Sequence, residues 1–125
     1  MKPTERGLAH LLLATRYSLQ GLRSAWRHEE SFRQEAMIAT IGMALACWLA
    51  RNTVDFVLLV LPLLLLMLAE LGNSAIEALV DRMGEEHNEL SGRAKDLGSA
   101  MVFMAILMVT VSWVSVSLSI FYFSR

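Results

Sequence analysis

The sequence lacks the residues and motifs that mark several common classes of protein. It contains a single cysteine, Cys47, which excludes an intrachain disulfide. Because Cys47 lies inside an apolar run, we expect a free, buried thiol. There is no CxxC pair, no zinc-ligand spacing and no GxxxxGK phosphate loop in the 125 residues. The net charge of −1 gives no electrostatic case for binding nucleic acid.

Apolar residues, in contrast, make up 55% of the chain. They are concentrated in three runs, at 36–50, 56–69 and 97–124. The third run carries no charge over about 28 residues, more than the roughly 20 that a helix needs to cross a bilayer. We predict an all-α membrane protein of one domain, residues 1–125, with transmembrane helices at about 31–51, 54–80 and 97–123.

Positively charged residues predict the orientation of these spans, because cytoplasmic loops are enriched in lysine and arginine. Six precede the first span: Lys2, Arg6, Arg16, Arg23, Arg27 and Arg33. Three lie between the second and third spans: Arg82, Arg93 and Lys95. The connection between the first two spans offers Arg51 alone, and the C-terminal end Arg125 alone. We therefore expect the N-terminus in the cytoplasm and the C-terminus on the outer side.

Residues 5–28 have the pattern of an amphipathic helix lying in the membrane surface. One stripe of this helix collects six apolar residues: Leu8, Leu11, Leu12, Leu19, Leu22 and Trp26. Thr15 is the polar exception, and its hydroxyl can bond a carbonyl of the preceding turn. An apolar stripe beside basic residues and a terminal tryptophan is typical of interfacial helices. The alternative is a helix packed against another soluble helix.

The second predicted span carries a row of polar side chains near its inner end. Five of them lie within about 60° of the first around a helix: Glu70, Asn73, Ser74, Glu77 and Asp81. Carboxylates near hydrocarbon are costly, so this face must meet a protein interior or a wet cavity with cations or protons. We interpret Glu70 and Asn73 as functional. Asp81 is expected to be a solvated helix end, paired with Arg82.

These residue types suit phosphoryl transfer to a hydroxyl group. Mg²⁺ takes oxygen ligands and accepts few of them from protein. A carboxylate shielded from water is a better base than one in solution, which suits proton abstraction near neutral pH. Lys95 and Asp96 add a cytoplasmic pair whose lysine can balance phosphate charge. Without a glycine-rich phosphate loop, the residues alone leave the reaction open.

Four segments closely resemble the small prokaryotic diacylglycerol kinases. They are GLRSAWRHEESFRQE (21–35), ACW (46–48), ELGNSAIEALVDR (70–82) and ELSGRAKDLGSA (89–100). The resemblance implies a homotrimer in the bacterial inner membrane, with an interfacial helix and three spans in each protomer. It also implies transfer of the γ-phosphate of ATP to the hydroxyl of diacylglycerol, with Mg²⁺ as cofactor and phosphatidic acid as product.

The resemblance assigns roles to residues of this chain. Glu70 corresponds to the proton acceptor, and Glu29 and Glu77 to the metal carboxylates, with Glu30 as the alternative to Glu29. The ATP positions are His10, Tyr17, Glu29, Glu77, Glu86, His87, Asn88, Lys95 and Asp96. The lipid positions are Arg23, Ser31, Phe32, Arg33, Gln34, Glu35, Trp48, Glu70, Ser99 and Trp113. Asn73 and Ser74 support the polar face.

The chain departs from the family mainly where ATP is held. An arginine often stands in the family where this chain has His10, and histidine is mostly neutral at pH 7. Leu13 replaces a common lysine, Leu19 a tryptophan, and His87-Asn88 a Tyr-His pair. None of these departures touches the carboxylates assigned to catalysis and metal binding.

Three other functions are compatible with parts of the sequence. A kinase of the same fold acting on undecaprenol would keep the polar face and differ in its lipid groove. A small proton-coupled exporter also keeps a membrane glutamate, but such proteins pack four spans into a similar length and lack a basic interfacial helix. A non-catalytic membrane adaptor would need no deep carboxylates. The resemblance of the N-terminal block favours diacylglycerol over undecaprenol as the expected substrate.

Overall fold

All regular structure in the part of the chain that the structure describes is helical. A computed structural model describes residues 6–84, 86 and 88–123. Its elements are α1 at Leu8–His28, α2 at Glu30–Leu49, α3 at Thr53–Arg82 and α4 at Glu89–Leu118, followed by a π-helical turn at Ser119–Phe123. The all-α class predicted from the sequence is confirmed. Residue 5, the predicted start of the first helix, lies outside the described residues.

Two helices are long and apolar enough to cross a membrane: α3, and α4 together with the π-helical turn. In their most apolar 18-residue stretches, 33% of α3 and 11% of α4 is buried. A core helix of a soluble protein would bury most of such a surface, so these helices fit a hydrocarbon environment. Helix α2 does not reach the same hydropathy, because its first two turns carry Glu30, Arg33 and Glu35. A third span therefore stays a prediction.

The apolar stripe of α1 is left uncovered by the rest of the described chain. All six of its apolar residues are exposed: Leu8, Leu11, Leu12, Leu19, Leu22 and Trp26. The Thr15 hydroxyl donates to the carbonyl oxygen of Leu11 at 2.8 Å, as expected. The helix itself is present, whereas its position in the membrane interface stays a prediction.

A single non-helical residue, Glu29, separates α1 from α2; we call this position the break between the two helices. Its backbone is extended, with φ −114° and ψ 105°. Arg33 folds back and donates from Nη1 to the carbonyl oxygens of Trp26 at 2.8 Å and Arg27 at 3.3 Å. The last carbonyls of a helix have no donor within it. Arg33 therefore caps the C-terminal end of α1 and stabilises the chain direction at Glu29.

Helix α3 is central, with α2 and α4 packed against it. The side of α2 that faces α3 is made of small buried residues, Ala39, Gly42 and Ala46. A Cβ at Gly42 would come within 2.6 Å of Leu63 Cδ1, so the close approach requires glycine. Cys47 is exposed, and the expectation of a buried thiol is wrong, because the next residue on a helix turns about 100° away from the packed side.

Pro62 lies inside α3 and removes one backbone donor. In a regular helix the carbonyl oxygen of Leu58 would accept from the amide of residue 62. Here the Ser112 hydroxyl of α4 donates to Leu58 instead. Trp113 Nε1 donates to the next carbonyl oxygen, that of Leu59, at 3.0 Å. Helix α4 thus supplies the donor that the proline lacks, which matters most where water is absent.

The connection between α2 and α3 holds a closed set of polar contacts, which we call the distal network: Arg51, Asn52, Asp55 and Ser119. Arg51 Nε donates to Asp55 Oδ2 at 2.8 Å, and its Nη2 donates to Ser119 Oγ at 3.0 Å. Asn52 Oδ1 accepts from the backbone N–H of Asp55 at 2.8 Å and caps α3. Asp55 is buried yet fully partnered, and the network ties this connection to the end of α4.

Candidate active site

Glu70 lies just past the middle of α3 and is 5% exposed. The carboxylates of Glu29 and Glu77 are near enough for their charges to act on it. The Glu35 carboxyl group lies beside that of Glu70, and two neighbouring carboxyl groups can share a hydrogen bond when one of them holds a proton. We call these four residues the acidic cluster.

Three parts of the chain bring the acidic cluster together. Glu70 and Glu77 are two turns apart on α3 and share a face. Glu35 comes from the second turn of α2. Glu29 stands at the break between α1 and α2 and, with Ser74 of α3, lines a groove of about 570 Å³ between α1 and α3. The structure therefore brings together the carboxylates predicted to act in catalysis and metal binding.

Within the described ranges, no cationic side chain forms an ion pair with the acidic cluster. The ion pairs found there join Arg51 to Asp55 and Lys95 to Asp81. Glu35 Oε2 is buried and has no hydrogen-bond partner. Neighbouring buried carboxylates repel one another and cannot all be charged without compensation. The cluster is therefore suited to bind protons, a cation, or both.

Asn73 and Ser74 flank Glu70 on different sides. Asn73 Nδ2 donates to Glu77 Oε1 in a long hydrogen bond of 3.4 Å. Its Oδ1 is buried beside Gly98 of α4 and has no donor. Ser74 instead lines the groove against α1. The polar face expected from the sequence is thus divided between two surfaces of α3.

A polar groove of about 600 Å³ lies where α3 connects to α4. Its lining includes Asp81, Glu86, Asn88 and Lys95. Lys95 Nζ pairs with Asp81 Oδ1 at 2.9 Å, so the expectation that Asp81 pairs with Arg82 is wrong. Packing of α4 on α3 brings the lysine opposite the last turn of α3, whereas adjacent residues on a helix point about 100° apart. A cation therefore lies at the wall of the groove.

The other residues assigned to ATP or lipid are spread over the chain. Exposed ones are Tyr17, Arg23, Ser31, Gln34, Trp48, Asp96 and Ser99, half-buried ones are His10, Arg33 and Trp113, and Phe32 is buried. His87 lies outside the described residues. Trp113 contacts Leu59, about 16 Å along α3 from Glu70. The structure thus does not bring Trp113 to the acidic cluster.

An apolar groove of about 860 Å³ runs between α3 and α4. It is continuous with a second apolar groove of about 570 Å³, which shares Leu65, Leu68, Met104 and Met108 with it. The first begins at Leu58, and the second reaches Gly72, next to Asn73. An apolar surface therefore extends from the proline-containing part of α3 to the level of Glu70.

Sequence reasoning missed two features of the site and its frame. Gly98 is buried against Asn73, and nothing in a single sequence indicates which residue a glycine meets across a helix interface. Arg51 and Asp55 are four residues apart, and that spacing could have signalled the ion pair.

No group of three or more histidine, cysteine or carboxylate side chains arranged to hold a metal ion occurs among the described residues. Glu29 and Glu77 offer two carboxylates near Glu70. Mg²⁺ is often held by one or two carboxylates together with substrate phosphates. The donor set thus fits a metal that arrives with a nucleotide.

The sequence profile of the prokaryotic diacylglycerol kinase family matches residues 16–117. The diacylglycerol kinase of Escherichia coli K12 is 47% identical over 107 residues, covering 86% of this chain and 88% of the relative. That of Haemophilus influenzae is 49% identical over 107 residues, covering 86% and 91%. That of Pseudomonas aeruginosa is 40% identical over 114 residues, covering 91% and 93%. The chain belongs to the prokaryotic diacylglycerol kinase family.

Proposed function

We propose that the protein is an ATP-dependent lipid kinase that phosphorylates the hydroxyl of diacylglycerol and releases phosphatidic acid. The observation that carries this proposal is Glu70, a carboxylate buried among other carboxylates in a chain of this family. The relatives in Escherichia coli, Haemophilus influenzae and Pseudomonas aeruginosa are named diacylglycerol kinases. The reaction returns diacylglycerol to phospholipid synthesis at the bacterial inner membrane.

In this mechanism Glu70 is the proton acceptor. Its carboxylate takes the hydroxyl proton while the lipid oxygen bonds to the γ-phosphorus of ATP. The bond between that phosphorus and the bridging oxygen breaks, and ADP leaves with the electron pair. General base catalysis of this kind contributes about 10²–10⁴-fold to a rate. Because Glu70 is buried, water has poor access to the base, which favours the lipid hydroxyl over hydrolysis of ATP.

Glu29 and Glu77 are the residues proposed to hold Mg²⁺. Their carboxylates lie near Glu70 and form no ion pair within the described residues, and Lys95 is close enough for its charge to interact with that of Glu77. When bound, Mg²⁺ supplies positive charge to the phosphate oxygens. The two side chains contribute the oxygen ligands and set where the phosphates sit relative to Glu70.

ATP is proposed to bind at the polar groove where α3 meets α4. Lys95, already held by Asp81 at 2.9 Å, places a cation there, and Glu86 and Asn88 line the same groove. The remaining ATP positions, His10, Tyr17, His87 and Asp96, are carried over from the family resemblance. In this proposal, side chains from several parts of the chain hold the ATP phosphates, which a glycine-rich loop holds in soluble kinases.

The lipid is proposed to place its hydroxyl at Glu70, with its acyl chains in the hydrocarbon beside the membrane-spanning helices. Of the residues assigned to lipid by resemblance, Ser99 follows Gly98 on α4. Arg23 and residues 31–35 come from the α1–α2 break, while Trp48 and Trp113 lie towards the distal end. A long acyl chain would reach from one region to the other.

The proposed assembly is a homotrimer of three-span protomers, with α2 as the additional span and α1 in the cytoplasmic interface. The N-terminus then faces the cytoplasm and the C-terminus the periplasm, as the distribution of lysine and arginine favours. Large apolar residues are exposed along α2, α3 and α4, and contacts between copies would cover part of that surface. A cavity formed between protomers would also enclose the acidic cluster.

The proposal is tested by offering diacylglycerol and undecaprenol, in separate micelles, to purified protein with Mg²⁺ and γ-labelled ATP. We expect labelled phosphatidic acid from diacylglycerol, and we expect its rate of formation to fall about 10²–10⁴-fold when Glu70→Gln replaces the wild type. Labelling of undecaprenol alone would keep the mechanism and change the substrate. Failure of well-folded protein to label either lipid would overturn the kinase proposal, and proton-coupled export in proteoliposomes would be assayed next.

A further inference from the structure

Gly98 of α4 lies where that helix meets Asn73 of α3. A Cβ built at Gly98 would overlap Asn73 Oδ1 and stand 3.4 Å from its Cγ. Gly98 is buried, so the volume that a side chain would need is taken by the Asn73 amide. Asn73 can therefore occupy its position only because residue 98 has no side chain.

The Asn73 amide has a defined direction in this packing. Its Nδ2 donates to Glu77 Oε1 at 3.4 Å, while its Oδ1 is buried against α4. The reverse orientation would place the amide oxygen against Glu77 Oε1, and two acceptor oxygens repel each other when the carboxylate is ionised, as it must be to bind a metal. The contact with Gly98 and the bond to Glu77 thus hold the same amide from its two ends.

We propose that Gly98 and Asn73 form a positioning pair for Glu77, through which the packing of α4 on α3 sets the direction of a metal-binding carboxylate. The proposal rests on the proposed function, in which Glu77 is a ligand of Mg²⁺. Removing a partner that orients a metal ligand by a hydrogen bond typically costs about 10–100-fold in metal affinity or activity. Asn73 acts through Glu77 and does not itself need to touch substrate.

Gly72 provides the contrast that separates this role from ordinary crowding. A Cβ at Gly72 would come within 2.8 Å of Met101 Cε, in the same α3–α4 interface. Met101 is a flexible apolar side chain with no polar partner to lose, so an added methyl group moves it at small cost. Gly72 therefore serves as the matched control.

The test compares Gly98→Ala, Asn73→Ala and the double variant with Gly72→Ala. Kinase rate is measured against Mg²⁺ concentration, and melting temperature in detergent records folding. Binding of Mn²⁺ with a non-hydrolysable ATP analogue, followed by electron paramagnetic resonance, reports metal affinity without turnover. We expect Gly98→Ala and Asn73→Ala each to raise the Mg²⁺ requirement about 10-fold or more and to weaken Mn²⁺ binding in parallel.

The double variant decides whether the two residues act through one amide. We expect it to match Asn73→Ala, because Gly98→Ala has nothing further to displace once the amide is gone. Multiplied effects, an unchanged metal requirement, or an equal loss in Gly72→Ala would overturn the proposal. If Gly98→Ala does not fold, Asn73→Asp keeps the shape and removes the donor, and an unchanged Mn²⁺ affinity there would overturn it. An inactive wild type that still binds Mn²⁺ would instead count against the kinase function.

Discussion

Asp55 and Glu70 are buried carboxylates on the same helix with opposite surroundings. Asp55 meets the Arg51 guanidinium, and that guanidinium also reaches Ser119, so the group is closed on itself. Glu70 meets three other carboxylates and no cation among the described residues. A buried carboxylate that is paired with a cation has a structural role. Buried carboxylates held close to one another are instead typical of sites that bind ligands or catalyse reactions.

The two ends also differ in what lies next to them. The acidic cluster borders a groove against α1 that includes Glu29 and Ser74. The distal network is bordered by an apolar core of Ala46, Leu59, Val60 and Val116. The comparison assigns chemistry to one end of α3 and stability to the other, and substitutions at each end test that division.

The largest effect is expected from Glu70→Gln. Turnover should fall about 10²–10⁴-fold, because the amide keeps the shape of the side chain and removes the base. Melting temperature should not fall, since a neutral group relieves repulsion within the acidic cluster. Formation of phosphatidic acid from γ-labelled ATP gives the first quantity, and thermal denaturation in detergent the second. Retained turnover would remove Glu70 from the mechanism.

The next effect is expected from Glu77→Gln and Glu29→Gln. Each removes a proposed ligand, so the Mg²⁺ concentration needed for half-maximal rate should rise more than about 10-fold. Glu30→Gln is the matched control, because Glu30 is exposed and adjacent to Glu29. A metal titration that Glu30→Gln shifts and Glu29→Gln does not would exchange the roles of the two residues.

At the opposite end of α3, Asp55→Asn should lower stability and leave the chemistry intact. The substitution leaves the Arg51 guanidinium without its charge partner and weakens the link to Ser119. Melting temperature should therefore fall, while the rate below that temperature and the Mg²⁺ requirement stay at wild-type values. A variant with normal stability and altered metal dependence would contradict the division between the two ends.

The smallest effect is expected from Ser112→Ala, at about 1 kcal/mol of unfolding free energy. The loss arises because the Leu58 carbonyl, already deprived of a donor by Pro62, loses its replacement. In a Pro62→Ala background the residue-62 amide can donate again, so Ser112→Ala should cost less there. A double-mutant cycle measured by steric-trap or denaturant unfolding checks this coupling. Equal costs in both backgrounds would show that the hydroxyl does not substitute for the missing amide.

Much of the architecture follows from patterns that one sequence contains. The apolar runs predict the helices, and seven-residue spacing predicts that Glu70 and Glu77 share a face. What fails to follow depends on contacts between helices. The partner of Asp81 is Lys95 and not Arg82, Cys47 is exposed, and Gly98 meets Asn73. Each of these is set by how one helix is rotated against another, which sequence periodicity leaves undetermined.

The exchange of donors at Pro62 has a consequence for the order in which the chain is built. Until α4 has been synthesised, the Leu58 carbonyl has no protein hydroxyl to accept from, and in hydrocarbon that vacancy is costly. Helix α3 is therefore expected to enter the bilayer with this carbonyl group lacking a protein donor. Ser112 and Trp113 of α4 then donate to the carbonyl oxygens of Leu58 and Leu59. The hydrogen bonding of α3 is therefore complete only after α4 has been synthesised and has packed against it.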